Sequence, residues 1–276
     1  MERVLSRQKF TESVAPTESD KRKDRIRSTF ILRNRFRGII GKKRLGYIWI
    51  FLDPIIFSLV YLFVFTVIRA RVKPVSLFIG ITLYRILSES SKSGLSSIKD
   101  HTGGILCERV RTRVLVDSSV KFRFVDILTR SIGTSTIIVL FFDVPLIGAI
   151  GFLAIAQVTG FLFEGAMMNL SRTAKRIPDI TNVVNHFLML MFYASPALYG
   201  MSELIDYTGS TLHYRINEFN PFSYFVELSR YLAGVESVFL DLDLRIFGFF
   251  IGALTLLTYR GYRRIGDDRW EMTSWS

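Results

Sequence analysis

The sequence predicts an all-α membrane protein with six transmembrane helices, and three observations carry that prediction. Of the 276 residues 49% are hydrophobic, and the mean hydropathy is +0.31 although the net charge is +12. Apolar and charged residues must therefore be segregated along the chain. The apolar residues collect in six runs, each near the roughly 20 residues that a helix needs to cross a bilayer. Lysine and arginine concentrate in alternate connections between those runs. A soluble helical protein with one large core is the competing class, but nothing in it calls for that alternation.

Residues 1–20 read as a polar tail with no cleavable leader, because the amino end is charged rather than apolar. Residues 21–44 begin "KRKDRIRSTFILRNRFRGII", in which Ile26, Phe30, Ile31, Phe36 and Ile40 are interleaved with lysines and arginines. That pattern predicts an amphipathic helix lying in the cytoplasmic interface, its arginines on anionic headgroups. Nucleic-acid binding is the competing account of the charge. It fits less well, since the arm runs directly into an apolar run at Gly46.

The six-span domain covers residues 45–260, with spans at 47–68, 75–95, 124–142, 144–170, 180–199 and 239–259, and a cytoplasmic tail follows at 261–276. The second span is the most polar, with Arg85, Glu89 and Lys92 and the serine-rich stretch "SESSKSGLSS". Arg85 and Glu89 are spaced i, i+4 and can pair on one helix face. An ion inside a membrane is costly unless that face meets protein or water.

Orientation follows from the basic residues. With the amino end inside, the cytoplasmic segments hold 28 lysines and arginines and the outer ones hold 5. Both termini are therefore expected on the cytoplasmic side. Arg69, Arg71 and Lys73 run against the rule in a short outer loop.

Several chemistries are absent from the sequence. One cysteine, Cys107, excludes an intrachain disulfide framework and reads as a structural thiol. His101, His186 and His213 show no metal-ligand spacing, and there is no phosphate-cradling G-x-x-x-x-G-K-[ST] loop and no H-E-x-x-H. His186 and Ser195 fall on opposite sides of one helix at its 3.6-residue period, so they make no nucleophilic dyad without help from another span. Asn182 and His186, one turn apart, make a polar stripe that either hydrogen-bonds a neighbouring helix or meets substrate.

Two connections are more than turns. Between spans two and three, "IKDHTGGILCERVRTRVLVDSS" is too polar to cross. It reads either as a short helix presented to a cytoplasmic partner or as a solvated loop packed on its own protein. Between spans five and six, "NPFSYFVELSRYLAGV" starts with Asn-Pro, a helix-initiating pair, and has helical apolar spacing. It reads as a helix on the outer face, dipping into the interface, because Glu227 and Arg230 and its short length argue against a seventh span.

Four segments in order, "RLGYIWIFLDP", "RIPDI", "FYASPALY" and "NPF" followed by Arg230, resemble the permease subunits of ABC-2 type polysaccharide exporters, which carry O antigen, teichoic acid and capsule. The resemblance runs from about Arg33 to Tyr259. It implies a homodimer bound to two copies of a separate P-loop ATPase, which holds the ATP and Mg, with no cofactor in this chain, no catalytic or metal site and no nucleic acid. It also implies a lipid-linked glycan as substrate, in contact with membrane lipids. His101, Gly104, Ile105, Leu106, Glu108 and Arg109 occupy the place of the family's coupling helix, and the arm at 21–44 that of its interface helix. Tyr199, Asn220, Pro221, Phe222 and Arg230 occupy its extracellular gate region. The chain departs from the family pattern in "VRTRVLV", where many relatives have a proline-bearing apolar stretch, and in Asp53, where a neutral residue is expected before Pro54.

In the first span Pro54 removes a backbone donor, and Asp53 avoids lipid only by facing the interior. Together with Tyr47, Trp49, Phe51, Phe57 and Tyr61 it offers an aromatic and polar surface for a substrate pathway between two subunits. Tyr47 and Trp49 also fit ordinary interfacial aromatics. Within the same class, an exporter of a lipid or drug shares this architecture. A standalone secondary carrier or channel is the reading from another class, and a carrier should show repeated halves, which the sequence lacks.

Overall fold

The computed structural model describes residues 18–41, the single positions 48, 52, 56, 59, 60 and 63, and residues 74–97, 110–201, 211–265 and 270–271. The described chain is built from helices: α1 (Glu18–Gly41), α2 (Pro74–Ser96), α3 (Thr112–Phe142), α4 (Leu146–Arg176), α5 (Asp179–Ala194), α6 (Thr211–Glu218), α7 (Pro221–Leu232) and α8 (Leu244–Ile265). A 3-10 turn, Phe239–Asp241, precedes α8. Val110–Arg111 pairs antiparallel with Trp270–Glu271, a short ladder that hydropathy does not foretell.

Five of the six apolar runs coincide with helices α2, α3, α4, α5 and α8, and the first run lies almost wholly outside the described residues. Among the described residues two helices are long and apolar enough to cross a membrane, Arg113–Phe142 and Leu146–Arg176. The others differ for local reasons. α2 carries three charges and a run of serines, α5 is 16 residues long, and α8 has Arg245 and Arg260 near its ends. The sixth run also starts later than expected. Residues 239–241 form the 3-10 turn, and the Asp243 side chain accepts from Arg245 N at 2.8 Å where α8 begins.

α2 is the central helix, with 16 of its 23 residues buried. It packs chiefly on α4, which in turn packs on α8. Small residues permit both approaches, as they do where helices meet inside membranes. A Cβ at Gly94 of α2 would overlap the backbone of Glu164 in α4, and one at Gly261 of α8 would overlap that of Gly165. α4 is thus gripped on adjacent residues from two sides. The apolar core gathers Leu77, Ile81, Leu83 and Leu87 of α2 with Phe152 and Phe163 of α4 and Phe222 and Phe225 of α7. Between α3 and α4 the chain reverses at Asp143, whose φ of 53° lies in the left-handed region that aspartate tolerates better than most residues.

The apolar residues of α1 divide between two faces. Ile31 packs against Val114 and Leu115, and the Phe36 ring lies 5.0 Å from that of Phe122, so this face docks on the first turns of α3. Arg35 stacks over the same Phe122 ring at 4.5 Å. Ser28 is buried there and donates to Asp117 at 2.7 Å, and Lys121 bridges both residues. On the other face Ile26 and Phe30 stay exposed beside Arg22, Arg33 and Arg37.

Burial alone would raise the Asp117 carboxyl. Hydrogen bonds from Lys121 and Ser28, with the charges of Lys121 and Arg113, outweigh it and hold Asp117 below the ordinary aspartate range. A lowered folded-state value means that the tie stabilises docking above the unfolded value and is lost as pH falls through the folded one. Hydrogen exchange of α1 amides, compared with that of α4, is expected to accelerate below about pH 4. Asp117→Asn should abolish that selective response, and an α1 whose protection follows α4 at every pH would contradict it.

Candidate functional site

Asn-Pro-Phe does what its chemistry predicts. The Asn220 side chain accepts from Phe222 N at 3.1 Å and caps α7, with Pro221 in the first turn where no donor is missed. Phe222 is then carried into the core, its ring 6.1 Å from that of Tyr84. Two turns further on lies a closely held buried ion. Arg230 is fully buried, and it donates from Nη1 to Glu227 Oε1 at 2.7 Å and from Nη2 to the carbonyls of Pro196 at 2.7 Å and Ser76 at 3.2 Å.

Glu227 uses its second oxygen elsewhere. Oε2 accepts from Ser237 Oγ at 2.8 Å and from Val238 N at 3.1 Å. The pair therefore ties together the start of α2, the segment after α5, α7 itself and the turn leading to α8. Tyr199 strengthens the same unit: its hydroxyl donates to Ala194 O at 2.9 Å and accepts from Asn217 Nδ2 at 3.1 Å. Asn217 Oδ1 in turn accepts from Ser223 of α7 at 3.2 Å.

A second polar cluster lies between α2 and α3. The Arg85–Glu89 pair read from spacing is present at 3.7 Å, but Glu89 is held more closely by Arg130, at 2.9 Å. Asp126 bridges Arg123 at 2.7 Å and Arg130 at 3.1 Å. Nearby, Ser93 of α2 donates to the fully buried Glu164 of α4 at 3.1 Å. These contacts cross-link α2, α3 and α4 by charge and hydrogen bonds in the portion nearest the 98–109 connection.

The structure brings the sequence-predicted Tyr199, Asn220, Pro221, Phe222 and Arg230 into one packed unit. The pathway residues Tyr47, Trp49, Phe51, Asp53, Pro54, Phe57 and Tyr61 lie outside the described residues, as do the coupling residues His101, Gly104, Ile105, Leu106, Glu108 and Arg109. α7 is packed into the described bundle: Phe222 to Glu227, Ser229 and Arg230 are all buried, and the two charges satisfy each other. Asn182 and His186 are exposed and make no hydrogen bond to a neighbouring described helix. Ser195 is buried and donates to Phe192 O.

Sequence reasoning missed Glu227, Asn217 and Glu164 as structural centres. The i, i+3 spacing of Glu227 and Arg230 was a signal for the first.

No family model matches the chain. Among known proteins it is similar to the O-antigen export system permease protein RfbA of Myxococcus xanthus, 28% identical over 200 residues that cover 67% of this chain and 71% of the relative. The chain is a homologue of an O-antigen export permease, which bears out the resemblance to the ABC-2 permeases of polysaccharide export that its motifs carry.

Proposed function

We propose that this chain is the membrane subunit of an ATP-driven exporter that moves a lipid-linked polysaccharide or oligosaccharide across the cytoplasmic membrane. The observation that carries the reading is the relative, a permease of O-antigen export. In this reading the chain pairs with a second copy and binds two P-loop ATPase subunits, which hold ATP and Mg. The chain itself performs no hydrolysis.

The described contacts supply a route for the ATPase stroke. A push on the 98–109 connection acts on the end of α2 and the start of α3. Those two helices are joined by the bridges of Glu89 to Arg130 and Arg123, so they move together. α1 follows α3 through Ser28, Asp117 and Phe122. Its exposed Ile26 and Phe30 with Arg22, Arg33 and Arg37 suit the cytoplasmic leaflet, with apolar side chains in the boundary and guanidinium groups on phosphates. At the other end of α2, Arg230 carries the movement into α7 and the segment after α5. In the first span, Asp53 and its neighbouring aromatics line the pathway between the two copies.

Deleting the gene is expected to leave the glycan on its lipid carrier at the cytoplasmic face, with export restored by the intact chain. The double variant Asp53→Ala, Tyr61→Ala should assemble with the ATPase and fail to restore export. Full export by that variant would remove the first span from the pathway.

A further inference from the structure

The sides of α2 hold an unassigned feature. From Ser76 onward every residue of this helix is buried except Tyr84 and four others, Arg85, Glu89, Lys92 and Ser96. Their spacing of 4, 3 and 4 residues places them on one stripe along the helix. The stripe covers about 16 Å at 1.5 Å per residue. Arg130 of α3 lies alongside, bound to Glu89.

The depth of the stripe decides what can face it. Ser90 and Gly94 abut Gly160 and Glu164 of α4, a helix long and apolar enough to cross the membrane. Glu89 therefore lies at the level of the span, away from the helix ends. Charged side chains at that level are tolerated only against protein or water, because lipid offers them no partner. Glu89 is 29% exposed and Arg85 17% exposed, so neither is sealed in the core.

We propose that this stripe, with Arg130, is a binding wall for the transported glycan, a hydrated surface on which a hydroxyl-rich chain exchanges hydrogen bonds as it passes. The inference rests on the export reading above and adds to it a second side of the pathway, beside the aromatic and polar first span. Arg130 and Glu89 already face each other through both Nη atoms and both carboxylate oxygens, so a sugar hydroxyl would add to the pair through remaining capacity, a guanidinium carrying five N–H donors and a carboxylate about four acceptor sites. The ion pairs fix Arg85, Glu89 and Arg130 in place beforehand, so little ordering remains when a sugar arrives. Lys92 and Ser96 continue the wall towards the end of α2, where a chain entering from the cytoplasm would first meet it.

Cysteine accessibility in native membranes containing the whole exporter tests this wall. Lys92→Cys and Ser96→Cys are introduced separately with Cys107→Ser, and a charged, membrane-impermeant methanethiosulfonate is applied to the cytoplasmic side. Both positions should label in membranes from cells blocked in glycan synthesis and lose that labelling when glycan is present. Ser91→Cys, buried on α2, and Leu256→Cys, on the exposed apolar face of α8, should resist the charged reagent in both membranes.

Labelling of the stripe by a lipophilic maleimide alone would overturn the wall in favour of lipid contact. A disulfide between two copies would overturn it in favour of a subunit contact. Labelling that glycan does not suppress would leave the face hydrated and overturn the glycan as its occupant. Failure of the export reading is separate: it would show as normal glycan export in the deletion strain, whatever the cysteines do.

Discussion

Arg230→Ala is expected to prevent accumulation of a folded, monodisperse protein. The substitution removes the partner of a carboxylate whose side chain is 1% exposed, and it strips a donor from the carbonyls of Ser76 and Pro196. Breaking a buried ion pair from one side costs about 3–5 kcal/mol, a large part of the 5–15 kcal/mol that typically separates folded from unfolded domains. Arg230→Lys should rescue little, since one ammonium lacks the planar fork that reaches Glu227 and two carbonyls together. Removing both charges, as in Glu227→Gln with Arg230→Met, should be less harmful than Arg230→Ala, because no unpaired ion is left behind. Thermal unfolding in detergent, followed by the monodisperse fraction, ranks these variants. An Arg230→Ala protein as stable as the parent would show that the pair does not hold the α2, α5 and α7 segments together.

The second large effect is steric. At Gly94 a methyl group would meet the backbone of Glu164, and at Gly261 it would meet that of Gly165. Neither obstacle is a flexible side chain that can swing aside, so the helices themselves must separate. Gly94→Ala and Gly261→Ala are each expected to cost about 1–3 kcal/mol, the usual range for overpacking. Gly248 and Gly252 on α8 provide the contrast, because nothing lies within 4 Å of a Cβ built on either. Alanine there should stabilise by up to about 1 kcal/mol through its better helix propensity. Opposite shifts in melting temperature for the two pairs of glycines would establish the close α2–α4–α8 packing, and equal shifts would contradict it.

Much of the helical layout was legible in the sequence, for identifiable reasons. Runs of apolar residues marked α3 and α4 because a helix facing lipid or core needs an unbroken apolar surface. Asn220 and Pro221 marked the start of α7 because capping is a local matter. What local pattern does not carry is the partner. Glu227 and Arg230 argue in sequence only against a seventh span, and it is Pro196 and Ser76, distant in sequence, that close around Arg230. The same limit explains α1, whose apolar residues suggested a single membrane face. Ile31 and Phe36 are in fact taken by α3, leaving Ile26 and Phe30 outside. The third helix also extends 12 residues ahead of the apolar run that announced it, since hydropathy locates a change of solvent rather than the end of a hydrogen-bonded helix.

The wall on α2 and the clasp at Arg230 place two kinds of polar group on one helix. Near its start the Ser76 carbonyl is held by a buried guanidinium; further along, the paired and partly exposed Arg85 and Glu89 share one side with Lys92. If α2 moves with the 98–109 connection, both move with it. The polar wall and the α7 unit would then respond to the same stroke.

Whether this chain works as the permease of an ATP-driven glycan exporter is decided by gentle extraction of the tagged chain from its native membrane and identification of what accompanies it. A P-loop ATPase in equal amount is the expected result. A chain that purifies alone, keeps its fold and transports a solute without ATP would contradict it.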